Sequence, residues 1–153
     1  MLKFVFENYE VQITQSVLDI FLRYRQIFDW QHESGGILLG RVYLDKIIVE
    51  RTSVPSKADK SGRHFFYRNV QRAQRIVKQT WEDSDGELIY LGEWHTHPEV
   101  KPIPSQTDKK LIANMLLDTK MEIEFLLLVI VGTSNYYVAV QKRGEFLTEL
   151  SKI

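Results

Sequence analysis

The 153-residue chain contains no cysteine, which excludes disulfides, thiolate zinc sites and thiol catalysis together. It has no surplus of either charge, since twenty Lys and Arg offset twenty Asp and Glu. No global field therefore draws it to nucleic acid or to an anionic membrane. It also lacks a long apolar run. The longest, FLLLVIV at 125–131, is far too short to span a bilayer and reads as a buried strand. The opening MLKFVFENYEV is interrupted by Lys3 and Glu7 before an apolar segment of the signal-peptide type can form. These absences set the expectation of a soluble, cytoplasmic protein with no membrane partner and no direct nucleic-acid partner. Proline is scarce, and three of the four fall between 98 and 104, which stiffens one loop selectively.

What is present is an ordinary globular composition, 44% hydrophobic and 26% charged, in a chain of one domain's length, 1–153. A strand at about 2–6 leads to Thr14, a good N-cap for a helix over QSVLDIFLRYRQIF, with Val17, Leu18, Phe21, Leu22 and Phe28 on one stripe. HESGGILLGRVY and KIIVERTSV read as strands joined by a hairpin turn at Leu44-Asp45. Residues 55–66 form a polar loop, and a helix over about 68–82 ends in the acidic turn EDSDGE. LIYLGEW is a strand and QTDKKLIANMLLD a helix. The last two strands, EIEFLLLVIVG and NYYVAVQK, are joined by GTSN. Strands and helices alternate, and several strands are apolar throughout. The expected class is α/β, a mixed β-sheet covered by helices on both faces.

From Lys57 to Lys78 there are seven Lys or Arg and one acid, Asp59. This is either a solvated helix face plus loop, or a docking surface for an acidic or extended partner through Arg68, Arg72 and Arg75. Phe65, Phe66 and Tyr67 beside it are candidate core anchors.

GEWHTHPEVKPIPSQTD, residues 92–108, concentrates the chemistry. Ser105-Gln-Thr-Asp108 has the spacing of a helix capping box, which alone would explain both residues structurally. In a strand, however, residues i and i+2 share a face, so His95 and His97 project side by side and can each reach one zinc ion about 2 Å away. Asp108, in the first turn of the next helix, is placed to fold back as a third ligand, and capping and ligation are compatible. Trp94, between Glu93 and His95, should face away from the zinc and pack into the sheet's other layer. Glu93 shares the histidine face and is a candidate partner for an imidazole. His32 and His64 are expected to be non-ligands. Upstream, Glu33 stands before the Gly35-Gly36 pair. A carboxylate there can take a proton from an activated water and pass it to a leaving amine.

Glu33 with SGGILLG, then HTHP, then seven residues to Ser105 and two more to Asp108, resembles the JAMM (MPN+) metalloprotease signature, E…HxHx7SxxD. The resemblance runs over essentially the whole chain. It implies a deaminase-like α-β-α sandwich and one zinc per chain held by His95, His97 and Asp108. Glu33 would be general base and then acid, and Ser105 would stabilise the oxyanion. The implied reaction is hydrolysis of an amide or isopeptide bond after the C-terminal residue of a ubiquitin-like-conjugated protein. With only residues 52–68 and the 98–104 loop available as inserted segments, the chain is most similar to compact bacterial JAMM isopeptidases of CBASS anti-phage operons. These reverse conjugation of a CD-NTase C-terminus by an E1/E2-like enzyme. Alternatives of the same motif are a peptidase processing a sulfur-carrier or other ubiquitin-like protein, a RadC-like domain, and a non-catalytic tail-binding module.

Overall fold

Successive residues of an apolar strand point to opposite faces, and the run 125–131 uses both. Leu127, Val129 and Val131 pack with Val17, Leu18 and Phe21 of one helix, while Leu126, Leu128 and Ile130 pack with Ile112 and Leu116 of another. The computed structural model describes residues 1–118 and 123–153. Its elements are β1 (Leu2–Phe6), β2 (Tyr9–Ile13), α1 (Gln15–Tyr24), β3 (Gly35–Val42), β4 (Lys46–Thr52), β5 (Lys60–Gly62) and β6 (Phe65–Tyr67). There follow α2 (Val70–Asp83), β7 (Ile89–Thr96), α3 (Gln106–Asp118), β8 (Phe125–Val131), β9 (Tyr136–Lys142), β10 (Thr148–Glu149) and β11 (Ser151–Lys152).

Nine strands form one sheet in the order β10-β9-β8-β7-β3-β4-β2-β1-β11, and β5 and β6 form a separate hairpin. The pairs β2–β4 and β7–β8 are parallel and the rest antiparallel, so the sheet is mixed as expected. Helix α1 covers one face; α2 and α3 cover the other, with Ala73, Ile76 and Val77 of α2 against Ile37 and Leu39. The strands at the two ends of the order, β10 and β11, are separated only by Leu150. Leu150 N–H donates to Val138 O at 2.8 Å and Ile153 N–H to Lys3 O at 2.9 Å. One C-terminal segment thus pairs with β9 on one side and β1 on the other and covers both nominal edges.

A bulge aims the site-bearing strand. Leu38 faces Gly92 while Leu39 faces Tyr90, leaving Leu91 as the extra residue of β7. Gly92 holds φ at +151°, and a Cβ there would lie 2.0 Å from Leu127 O, so only glycine fits. Beyond the bulge Trp94 joins Leu91 in the α1-side core, its ring 5.1 Å from Phe21. Trp94 faces away from the histidines as anticipated, and Glu93 and His95 take the opposite face.

Several elements differ from the sequence reading. Helix α1 stops at Tyr24, because Arg25 turns extended (ψ 141°) and the Gln31 side chain accepts the N–H groups of Ile27 and Phe28 at 2.7 Å each. That alternative partner replaces further helical bonds and leaves Phe28 outside the helix and exposed; Leu22, within the helix, is exposed too. Thr14 occupies the N-cap position without a side-chain capping bond; its hydroxyl meets Ser16 instead. Strand β2 was not anticipated. The 55–66 loop contains most of a hairpin, and two short strands follow β9. Glu122, assigned to the strand over EIEFLLLVIVG, lies outside the described residues.

Candidate metal centre

The antiparallel register that sets Gly35 opposite His95 continues past the strand ends. Thr96 N–H donates to Ser34 O at 2.8 Å, and Ser34 N–H to Thr96 Oγ1 at 2.9 Å. Glu33 therefore lies opposite His97, and Glu33 N–H is fixed to Gly62 O at 2.7 Å. On the other side His97 N–H donates to Val131 O at 3.0 Å. Gly35 permits this crowding, since a Cβ there would come within 2.5 Å of Trp94 O and 2.7 Å of the Phe66 ring.

Asp108 arrives from the first turn of α3. Its N–H donates to Ser105 Oγ at 3.0 Å, and Ser105 N–H donates back to Asp108 Oδ2 at 2.9 Å. This is a reciprocal capping box with Asp in the acidic position. The same Oδ2 lies 3.2 Å from His95 Nε2 and 3.2 Å from His97 Nε2, and the two Nε2 atoms are 3.1 Å apart. Three donor atoms thus form a nearly equilateral triangle. Ligands about 2.0 Å from a tetrahedral zinc are about 3.3 Å from one another, so the triangle fits such an ion. Glu33 stands slightly outside it, with Oε2 3.9 Å from His97 Nε2. Glu33, His95 and His97 also form a buried group whose ligand atoms lie within 4.8 Å of one another.

The electrostatics agree with a cation site. His97 Nδ1 is 2.8 Å from Glu99 Oε1; an ionised carboxylate only accepts, so Nδ1 carries the proton and Nε2 is free to offer its lone pair. Burial opposes charge on Asp108, but the two imidazoles and the Ser105 N–H outweigh it and hold the carboxyl well below the usual range. Burial likewise disfavours an imidazolium at His97, yet Asp108, Glu33 and Glu99 together raise its pKa. Glu33 is pushed up to about 8, chiefly by burial, which suits a carboxyl that must both take and return a proton near neutrality.

Sequence reasoning missed two residues. Glu99, not Glu93, pairs with an imidazole. The Glu93 carboxylate is instead taken by Arg68 Nε at 2.6 Å and by the Tyr90 hydroxyl. HTHPE itself carried a signal, because Glu99 is two residues past His97. Gln26 is buried and bonds the Thr96 hydroxyl between the two histidines at 2.8 Å; nothing in its neighbourhood of sequence marks it. Of the arginines considered for docking, Arg68 points inward to Glu93, Arg72 donates to Val54 O at 2.9 Å, and Arg75 is exposed. His64 is exposed and His32 Nδ1 meets Ser61 Oγ at 3.2 Å. Phe66 packs on Gly35, whereas Phe65 and Tyr67 are 41% and 44% exposed.

Two cavities meet at the centre. A groove of about 710 Å³ runs between α2 and α3, lined by Tyr67, Val77, Trp81, Leu111 and Met115, and ends on His95 and Asp108. A cleft of about 520 Å³ lies on the other side, against Glu33, His97, Ser105, Arg63, His64 and Ile103.

The model of the prokaryotic homologs of the JAB domain matches residues 15–145. This chain belongs to that family. Among curated relatives, proteins named CD-NTase/cGAS isopeptidase are similar to it. The protein of Pseudomonas aeruginosa is 35% identical over 84% of this chain and 80% of its own length. That of Vibrio cholerae is 34% identical over 94% and 88%, and that of Escherichia coli 32% over 92% and 86%. A solution structure of a Desulfitobacterium hafniense protein superposes with a TM-score of 0.62 at 22% identity, covering 91% of this chain and 88% of that one, which supports the fold. Family and relatives together support a hydrolytic JAB enzyme. No helix among the described residues is long and apolar enough to cross a membrane.

Proposed function

We propose that this JAB protein is a zinc-dependent isopeptidase that releases a CD-NTase from the proteins to which its C-terminus has been conjugated. The observation that carries this reading is the triangle of His95 Nε2, His97 Nε2 and Asp108 Oδ2, with sides of 3.1 to 3.2 Å, beside a buried Glu33. The substrate comes from the names of relatives at 31–35% identity. From the resemblance of the signature to the JAMM isopeptidases of CBASS operons we further infer a setting in CBASS defence in the cytoplasm, with an E1/E2-like enzyme forming the bond that this chain hydrolyses.

His95, His97 and Asp108 would hold one zinc. When bound, the ion supplies a Lewis acid that polarises the scissile carbonyl and acidifies a water. The chain's own residues do the rest. Glu33 takes a proton from the attacking water and returns it to the departing amine. Ser105 Oγ accepts from Asp108 N–H, and its own hydrogen remains to be donated to the oxyanion, a contact worth about 3 to 4 kcal/mol where such donors act. Glu99 holds the His97 tautomer. The groove between α2 and α3, apolar and ending at His95 and Asp108, suits an extended tail on the acyl side of the bond.

The test is metal analysis with a cleavage assay on a CD-NTase conjugate. About one zinc per chain is expected, lost in His95→Ala/His97→Ala; zinc retained in that double variant removes the site. Glu33→Ala should keep zinc and fold but lose hydrolysis. Zinc without cleavage by the wild type would favour a tail-binding module instead.

A further inference from the structure

The loop after α1 displays apolar side chains to solvent. Ile27, Phe28 and Trp30 are 59%, 57% and 76% exposed, and the Phe28 and Trp30 rings stack 5.8 Å apart at 5°. Leaving three such side chains together in water is unfavourable, and contiguous exposed apolar surface marks interaction sites.

This loop is braced as well as exposed. Gln31 Oε1 accepts from the N–H groups of Ile27 and Phe28. Arg63 Nη1 donates to Phe28 O at 3.0 Å and to Asp29 O at 2.8 Å. Gln26 Nε2 donates to Arg63 O at 3.0 Å and Gln31 O at 3.3 Å, and its Oε1 accepts from Thr96 Oγ1. The aromatic pair is thus fixed relative to the residue between His95 and His97, as an interface anchor of low entropic cost should be.

Its position selects the occupant. Arg63, which carries the loop, also lines the cleft that contains Glu33 and His97. Glu33 must deliver a proton to the leaving nitrogen, so the amine component departs on that side, while the α2–α3 groove serves the acyl tail. Resting on the isopeptidase reading, we propose that Ile27, Phe28 and Trp30 form the docking surface for the amine-side protein, the acceptor whose lysine carries the conjugated tail. They would engage an apolar patch beside that lysine.

Two substrates with one acyl side separate this from other roles. In one, a CD-NTase tail is joined to its acceptor proteins, purified as conjugates from cells producing the conjugating enzyme; in the other, the same tail is joined to aminomethylcoumarin. Phe28→Ala/Trp30→Ala should lower kcat/KM on the conjugates by about tenfold or more, mainly through KM, and change coumarin release by less than about twofold. Trp30→Phe, which keeps an aromatic face, should retain most conjugate cleavage. Equal losses on both substrates would place the loop on the acyl side or in the scaffold and overturn the proposal, as would undiminished conjugate cleavage. A wild type that cleaves neither substrate overturns the isopeptidase reading and this inference with it. Binding of the conjugates to a Glu33→Gln protein, weakened by the double alanine variant, is the expected companion result.

Discussion

The Gln26 side chain accepts the hydroxyl hydrogen of Thr96 at 2.8 Å, across 70 residues of sequence, and Thr96 is the residue between the two histidines of the candidate metal centre. Its amide donates to the Arg63 and Gln31 carbonyls. One buried amide therefore joins the loop after α1, the β5–β6 turn and the end of β7. Gln26→Leu leaves the Thr96 hydroxyl and two carbonyls short of a partner, at a cost of about 1 to 3 kcal/mol. We expect a lowered melting temperature and a drop in kcat larger than the change in KM, because Glu33 and His97 lose their common brace. A variant with wild-type stability and kcat would show that the strand pairing alone aligns them.

Glu33 makes the stability of the metal-free protein depend on pH. Its pKa rises from an ordinary 4.5 to about 8 in the folded state, so between these values the native state binds more protons than the unfolded chain. Stability from this group is present below about pH 4.5, falls as pH rises toward 8, and is flat above. Glu33→Gln cannot ionise. In chelator-treated protein its advantage over wild type should grow by more than about 1 kcal/mol from about pH 5 to about pH 8.5, read from denaturant melts. Zinc should reduce the difference, since a nearby cation favours the carboxylate. A difference that stays constant with pH would mean that the Glu33 carboxyl is solvated.

Glu99 tests the tautomer. With Nδ1 of His97 tied to Glu99 Oε1 at 2.8 Å, Nε2 is left as one corner of the triangle. Glu99→Ala should weaken zinc affinity by about 10- to 100-fold, measured by competition with a chelating dye, whereas Glu99→Gln, which keeps an acceptor oxygen, should lose less. Equal affinity in all three proteins would leave the imidazole orientation to the backbone bond from His97 N–H to Val131 O.

Much of this centre was readable from residue spacing. Ser105 and Asp108 carry the capping-box interval, and the i, i+2 rule placed His95 and His97 together; both relationships are local and survive any fold. What spacing could not show was partnership across the chain. The parity rule put Glu93 on the histidine face but did not reveal Arg68 and Tyr90 competing for it. Gln26 owes its role to residues 31, 63 and 96, none of which is a sequence neighbour that marks it. Apolar periodicity continues to Phe28 after the backbone has turned; the side-chain amide of Gln31 takes the N–H groups of Ile27 and Phe28, and no helix propensity records that. The short β10 and β11 were missed for a related reason. They exist as strands only because β9 and β1 offer edges.

Arg68 decides between the two readings of the basic segment. It lies against Glu93 at 2.6 Å, with only 21% of its side chain exposed, and Glu93 is itself buried, its carboxyl raised by burial against the pull of Arg68 and Tyr90. Removing one partner of such a pair strands the other, at a cost of about 3 to 5 kcal/mol. Arg68→Met should therefore destabilise the fold sharply, and Arg68→Met/Glu93→Gln should recover much of the loss. Arg75, exposed on α2, has no such obligation. Arg75→Glu should leave the unfolding free energy within about 0.5 kcal/mol of wild type and raise KM only if the helix face meets an acidic substrate. Two melts and one KM thus separate the structural arginine from the docking candidate. Equal melting temperatures for Arg68→Met and wild type would return Arg68 to the surface.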